Sequence, residues 1–270
     1  MQTVLITGAA GSIGTRLRQL LKGAYPHLRV SDAKRPADLA AEEHFVPAEL
    51  TDMQAVERAV AGVEGIVHLG GFSVEGPWDT ILNSNIIGCY NLFEAAARAG
   101  VKRIVFASSN HAIGFYPRHR RLGIEAAVRP DSRYGASKAF GEALGALYAF
   151  KHGLRVTCLR IGNFADKPID LRRLSIWIAP ADLAQLVRIG LEHPDIQYEI
   201  FYGISDNARG WWDNSAAYRF GYRPQGRAEK HRDEALTAQA RLQADAIGDW
   251  YQGGTFCSDE FSGGIERSPA

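Results

Sequence analysis

Tyr134 and Lys138 stand four residues apart in "RYGASK", the only Y-x-x-x-K in the 270-residue chain. On a helix that spacing puts both side chains on one face. A phenol of ordinary pKa, about 10, is a poor base at neutral pH, and a neighbouring ammonium stabilises its phenolate. The pair is thus equipped to take a proton from an alcohol. Upstream, "RIVFASSNHAIGFY" (103–116) begins as a buried strand, Ile104 to Ala107, and then gathers Ser108, Ser109, Asn110 and His111 before apolar residues resume. Polar side chains clustered there form either a solvated turn or the floor of a binding site, since ligands of open α/β sheets lie beyond the carboxyl ends of the strands. Ser109 is placed to hydrogen-bond a substrate oxygen whose proton Tyr134 removes, while hydride leaves the carbon for a redox cofactor.

The cofactor signal lies at the other end of the chain. "TVLIT" runs into "TGAAGSIG", with Gly8, Gly11 and Gly14 ahead of the helical "TRLRQLLKG". Glycine permits a tight turn and a close backbone approach to a pyrophosphate, to which the N–H groups of a helix start can donate. The motif follows a strand and opens a helix, the context in which it binds dinucleotides. Asp32 closes the second strand, where a carboxylate accepts from ribose hydroxyls and repels a 2′-phosphate. NAD is therefore expected rather than NADP, with Lys34 and Arg35 pulling the other way.

These groups need a scaffold. Short β-rich runs recur at 3–7, 28–32, 44–48, 65–70, 103–108, 154–161 and 198–203, with helical patterns near 12–23, 52–61, 78–99, 132–152 and 181–192. Alternation of this kind predicts a doubly wound parallel sheet, and continuous hydrophobicity in the strands predicts burial on both faces. The expectation is one Rossmann-type domain over 1–270, with a small C-terminal substrate-binding portion, substrate segments mainly in 162–256, and a flexible tail at 262–270.

Composition narrows the function. At 46% hydrophobic and 23% charged, with net charge +1, the chain is ordinary for a globular domain and lacks the basic face expected of a nucleic-acid binder. The basic knot Arg118 to Arg121 reads as a solvated loop. Three widely spaced cysteines without C-x-x-C, and no secretory leader before "MQTVLIT", point to reduced cytoplasm. No window reaches transmembrane length, and the histidines show no metal-ligand grouping. Neither a membrane nor a metal is expected.

With the glycine loop, Asp32, Asn85 in "NSNIIG", Ser109, Tyr134 and Lys138 in this order, the chain resembles the extended short-chain dehydrogenase/reductase superfamily. Within it, "HLGGFSVEGP", "NIIGCYNL", "FASSNHAIGFYP", "WWDN" and "QGGTF" are similar to the uronate dehydrogenase family over almost the whole chain. The resemblance implies NAD-dependent oxidation of glucuronate or galacturonate at C1 to an aldaro-lactone, which water then opens. It implies cofactor contacts from Gly8, Gly11, Ser12, Ile13, Gly14, Asp32, Leu50, Leu69, Asn85, Tyr134 and Lys138. Substrate contacts are implied for Ser73, Ser109, Asn110, His111, Tyr134, Asn163 and Arg172, with Arg172 rather than Arg173 on the carboxylate. That family commonly has Ser where Asn163 stands and Asp where Glu49 stands. Helices 78–99 and 132–152 are expected to pair in a homo-oligomer, as in related enzymes. Two rivals are a nucleotide-sugar epimerase or dehydratase and a non-catalytic NAD-binding regulator.

Overall fold

Val4 and Ile6 pack on one side of the first strand and Leu5 on the other, and all three are fully buried. Helices must therefore cover both faces of the sheet. The computed structural model describes residues 1–265. Its chain runs β1 (Thr3–Thr7), α1 (Ser12–Leu20), β2 (His27–Ser31), β3 (His44–Phe45), α2 (Met53–Val60), β4 (Gly65–His68) and α3 (Trp78–Ile81). A π-helical turn, Leu82–Ile87, leads into α4 (Gly88–Arg98), followed by β5 (Arg103–Ser109), a 3-10 turn Asn110–Ile113, α5 (Arg133–His152) and β6 (Arg155–Ile161). Then come β7 (Asn163–Phe164), α6 (Leu171–Ile176), β8 (Trp177–Ile178), α7 (Pro180–Glu192) and β9 (Tyr198–Gly203). Four short helices complete the C-terminal portion: α8 (Ser215–Arg219), α9 (Arg232–Gln239), α10 (Ala246–Trp250) and α11 (Thr255–Ser258).

Seven strands form one parallel sheet in the order β3-β2-β1-β4-β5-β6-β9. The order reverses between β1 and β4, and the carboxyl ends of those strands mark the topological switch point. One core cluster lies between the sheet and α1 and α7, where Leu17, Val105, Leu183, Leu186 and Phe201 meet. The other lies under α2, α4 and α5, with Val56, Leu92, Phe93, Ile104, Phe106 and Tyr148. Ile104 and Val105 fall in opposite clusters because side chains alternate along a strand.

Helix ends explain the placement of the site. Ser132 caps α5, accepting from the Gly135 N–H at 2.9 Å, and fixes where the turn bearing Tyr134 begins. Such a cap contributes about 1 kcal/mol. Gly153 ends α5 at φ 74°, a conformation glycine adopts without steric cost.

All seven expected strands are present in one sheet. β3 is shorter than the expected 44–48, and beyond it the Val46 and Ala48 N–H groups still donate to the Val30 and Asp32 carbonyls, at 2.9 and 3.2 Å. The expected helix 78–99 is interrupted by the π turn. The β7/β8 ladder and α6, with the short C-terminal helices, left no periodic trace in the sequence because each is too short to repeat a pattern. Residues 262–265 have no regular secondary structure, and the rest of the expected tail, 266–270, lies outside the described residues.

Candidate active site

A cleft of about 560 Å³ opens over the carboxyl ends of β1, β4 and β5. Its wall at one end is mostly backbone. Gly8 has φ +64°, and a Cβ there would lie 2.8 Å from the Gly70 nitrogen; a Cβ on Gly14 would lie 2.3 Å from the Gly8 carbonyl oxygen. The glycines thus bring the β1 turn against both the β4 turn and the start of α1. Ser12, Ile13 and Gly11 complete this turn along the cleft. Beneath it, the Thr7 hydroxyl accepts from the Gly70 N–H at 3.2 Å and lies 2.8 Å from His68 Nδ1. Burial lowers the His68 pKa to about 3, so its ring is neutral and can accept the Thr7 proton. Asp32 is held by backbone donors, Oδ2 by the Ala10 N–H at 3.0 Å and Oδ1 by the Lys34 N–H at 3.2 Å. Each oxygen keeps a lone pair for a diol such as a ribose. Leu50 and Leu69 add apolar wall. A backbone cradle at a helix start, followed by a fixed carboxylate, fits a dinucleotide.

The other end is made of side chains. Tyr134 and Lys138 are one turn apart on α5, with Lys138 Nζ 5.4 Å from the Tyr134 ring centroid and donating to the Ala107 carbonyl at 2.8 Å. Ser109, the last residue of β5, accepts from the His111 N–H at 3.2 Å, which leaves its own proton for a ligand. Glu75 ties the loop that bears Ser73 to the head of α5: Oε2 accepts from the Tyr134 N–H at 2.9 Å and Oε1 from Arg133 at 2.8 Å. Ser108 donates to Glu142 at 2.6 Å, and Glu142 is paired through both oxygens with buried Arg160. This network pins α5 to β5 and β6 directly behind Tyr134 and Lys138.

Arg172 reaches the site from α6. Its Nε donates to the Gln252 carbonyl at 2.8 Å, and with the Asn110 amide oriented to satisfy both its ends, Asn110 accepts from Arg172 at 3.1 Å and donates to Ile161 at 3.2 Å. Among the described residues Arg172 has no salt-bridge partner, whereas Arg173 is paired with Asp170. Burial, then the Arg173 and Arg118 cations, lower the Arg172 pKa to about 10.

The structure gathers Gly8, Gly11, Ser12, Ile13, Gly14, Asp32, Leu50 and Leu69 along one end of the cleft. It gathers Ser73, Ser109, Asn110, His111, Tyr134 and Lys138 along the other. Asn85 stands behind the wall, where its amide bonds the Phe72 N–H and carbonyl and the Ser137 hydroxyl, so it shapes the β4 loop. Asn163 lies between the lining residues Gly162 and Phe164, and its buried Oδ1 has no hydrogen-bond partner. Most candidate substrate contacts precede residue 162; Asn163 and Arg172 supply those from 162–256. The sequence reading missed Glu75, Asp131, Gln252 and Phe256. Only the double glycine of "QGGTF" signalled a close backbone approach there.

Fold and site together define a dinucleotide-binding protein of the oxidoreductase class, with a Tyr and a Lys one turn apart on α5 beside its cleft. Residues 4–188 match the NAD dependent epimerase/dehydratase family, and the chain belongs to it. It is 43% identical to a uronate dehydrogenase of Pseudomonas putida over 254 residues, 94% of each chain. It is 41% identical to one of Agrobacterium fabrum, covering 95% of this chain and 97% of that one. Among solved structures, a mutant uronate dehydrogenase of Agrobacterium tumefaciens complexed with NAD superposes with a TM-score of 0.92 at 40% identity, over 98% of each chain.

Proposed function

We propose that the protein oxidises a hexuronate, glucuronate or galacturonate, at C1 to the aldaro-lactone with NAD as hydride acceptor. Arg172 carries this reading: it is a guanidinium at the sugar end with a lowered pKa and, among the described residues, no salt-bridge partner. A substrate carboxylate would relieve its desolvation and take two parallel hydrogen bonds from it. Asp170 already occupies Arg173.

In this mechanism Gly8, Gly11, Ser12, Ile13 and Gly14 hold the pyrophosphate, Asp32 the adenosine ribose, and Leu50 and Leu69 the apolar parts of NAD. NAD so held supplies the carbon that accepts hydride. Ser109 donates its free proton to the C1 oxygen, and Tyr134 removes the C1 hydroxyl proton. Lys138 stabilises the Tyr134 phenolate from one turn along α5. Ser73, Asn110, His111 and Asn163 hold the remaining hydroxyls; the orphan Oδ1 of Asn163 is an acceptor in search of such a donor. The lactone opens with water after release.

Three further features support the setting. Cys89, Cys158 and Cys257 are buried and unbridged, which suits the reducing cytoplasm. No described helix is long and apolar enough to cross a membrane. Exposed Ile87 and Tyr90 precede and join α4, and exposed Leu147 and Phe150 lie on α5; these apolar groups support pairing of two copies.

Purified protein with NAD and glucuronate should form NADH, and glucose should support only a small residual rate. A nucleotide-sugar epimerase returns the hydride to its substrate, so absence of net NADH from either uronate would overturn the reading.

A further inference from the structure

His111 is held on three sides. Its Nδ1 lies 2.7 Å from Asp131 Oδ2. Phe256 stacks on its face with centroids 3.8 Å apart, and Tyr134 meets it edge-on at 5.8 Å. Since His111 lines the cleft, the ring edge bearing Nε2 is the part left for a ligand.

Asp131 makes this arrangement directional. Its side chain is 0% exposed. A Cβ on Gly114 would lie 1.8 Å from its Oδ2, and one on Gly253 1.9 Å, so two backbones press against the carboxylate. Its other oxygen accepts from the Ser132 hydroxyl at 2.8 Å. A carboxylate offers lone pairs only, and a neutral imidazole has one N–H. With the N–H on Nε2, two lone pairs would face each other across the Nδ1 contact.

We propose that Asp131 is a positioning residue that locks His111 in its Nδ1–H tautomer, so that Nε2 meets a sugar hydroxyl as a hydrogen-bond acceptor. The sugar's place rests on the uronate reading above; the tautomer does not. The setting of Asp131 between Gly114 and Gly253 also explains why the lock is built into the fold. Asp131 precedes the α5 cap, Gly114 follows the β5 turn and Gly253 belongs to the C-terminal segment, so one carboxylate registers all three against the imidazole.

Nitrogen-15 NMR of histidine-labelled protein, with His111→Gln assigning the signal, tests the lock without any substrate. The unmutated protein should show Nδ1–H at His111, and Asp131→Asn, whose amide can donate as well as accept, should populate Nε2–H. An Nε2–H tautomer in the unmutated protein would overturn the proposal, and that measurement stands even if Asp131→Asn fails to fold. Kinetics test the link to the sugar. Asp131→Asn should lower kcat/KM for glucuronate about ten-fold, mainly through KM, the scale of one buried hydrogen bond. In a His111→Gln background the same change should cost less than about two-fold. Equal losses in both backgrounds would mean that Asp131 acts on the fold and not through His111.

Discussion

The two ends of the cleft are built on different principles. At the dinucleotide end the recognising atoms are largely backbone, set by Gly8 and Gly14 within one β-turn-α unit, and the Asp32 carboxylate is fixed by backbone donors, the Ala10 and Lys34 N–H groups. At the sugar end they are side chains, and the partners that hold these segments come from other loops and helices of the chain. The Tyr134 backbone N–H is tied to Glu75, the Arg172 side chain to Gln252, and the His111 ring to Asp131 and Phe256. Local construction makes a site general, because the same turn serves many proteins. Remote construction makes it particular, since each side chain is aimed by a contact that another substrate would not require.

Substitutions should separate the two ends. Tyr134→Phe should lower kcat by at least about 10²-fold while NAD affinity, measured by titration calorimetry, stays nearly unchanged; a matching loss of NAD affinity would break the division. Arg172→Ala should cost about 2–4 kcal/mol in kcat/KM for glucuronate and scarcely touch the residual rate with glucose. Arg173→Ala provides the control, and a selective loss in that variant alone would transfer the carboxylate to Arg173.

His68 probes the dinucleotide end by pH. Its folded pKa, about 3, lies below the model-peptide value of 6.5, so the unfolded chain binds the extra proton as pH falls below 6.5. Stability contributed by the neutral ring is complete above 6.5 and declines toward pH 3, by up to about 1.4 kcal/mol per pH unit. Urea unfolding between pH 7 and 5 should show a fall of about 2 kcal/mol from this residue, and His68→Gln should flatten the slope by that amount.

Smaller effects refine the contrast. Asp32→Ala should narrow the preference for NAD over NADP about ten-fold, the usual scale of one charge-assisted contact, with KM for glucuronate unchanged. Glu75→Gln keeps one acceptor but cannot serve both Tyr134 and Arg133 as a carboxylate. It should lower kcat/KM by about 1 kcal/mol or less with NAD affinity intact.

This division also accounts for what was legible in the sequence. Gly8, Gly14, Asp32 and the strand runs are local signals, since a turn, a strand end or a buried run is written in consecutive residues. Tyr134, Lys138 and Ser109 were legible through spacing and strand position. Asp131, Glu75, Gln252 and Phe256 were not, because nothing in "PDSRY" or "QGGTF" states that the two segments meet. Asn85 illustrates an intermediate case: the family resemblance singled it out as a cofactor contact, but nothing in the sequence told that its amide is committed to Phe72 and Ser137.

Gln252 is fully buried, its side chain accepts from Trp212 and donates to the Pro117 and Arg120 carbonyls, and its own carbonyl takes the Arg172 guanidinium. All seven sheet strands precede it, the last ending at Gly203. During synthesis the ribosome therefore delivers the complete sheet, Tyr134 and Lys138 well before the segment that holds Arg172 and covers His111. A nascent chain paused between these points would already possess the nucleotide cradle while its sugar pocket was unfinished, so competence to hold the coenzyme should precede competence to choose a substrate.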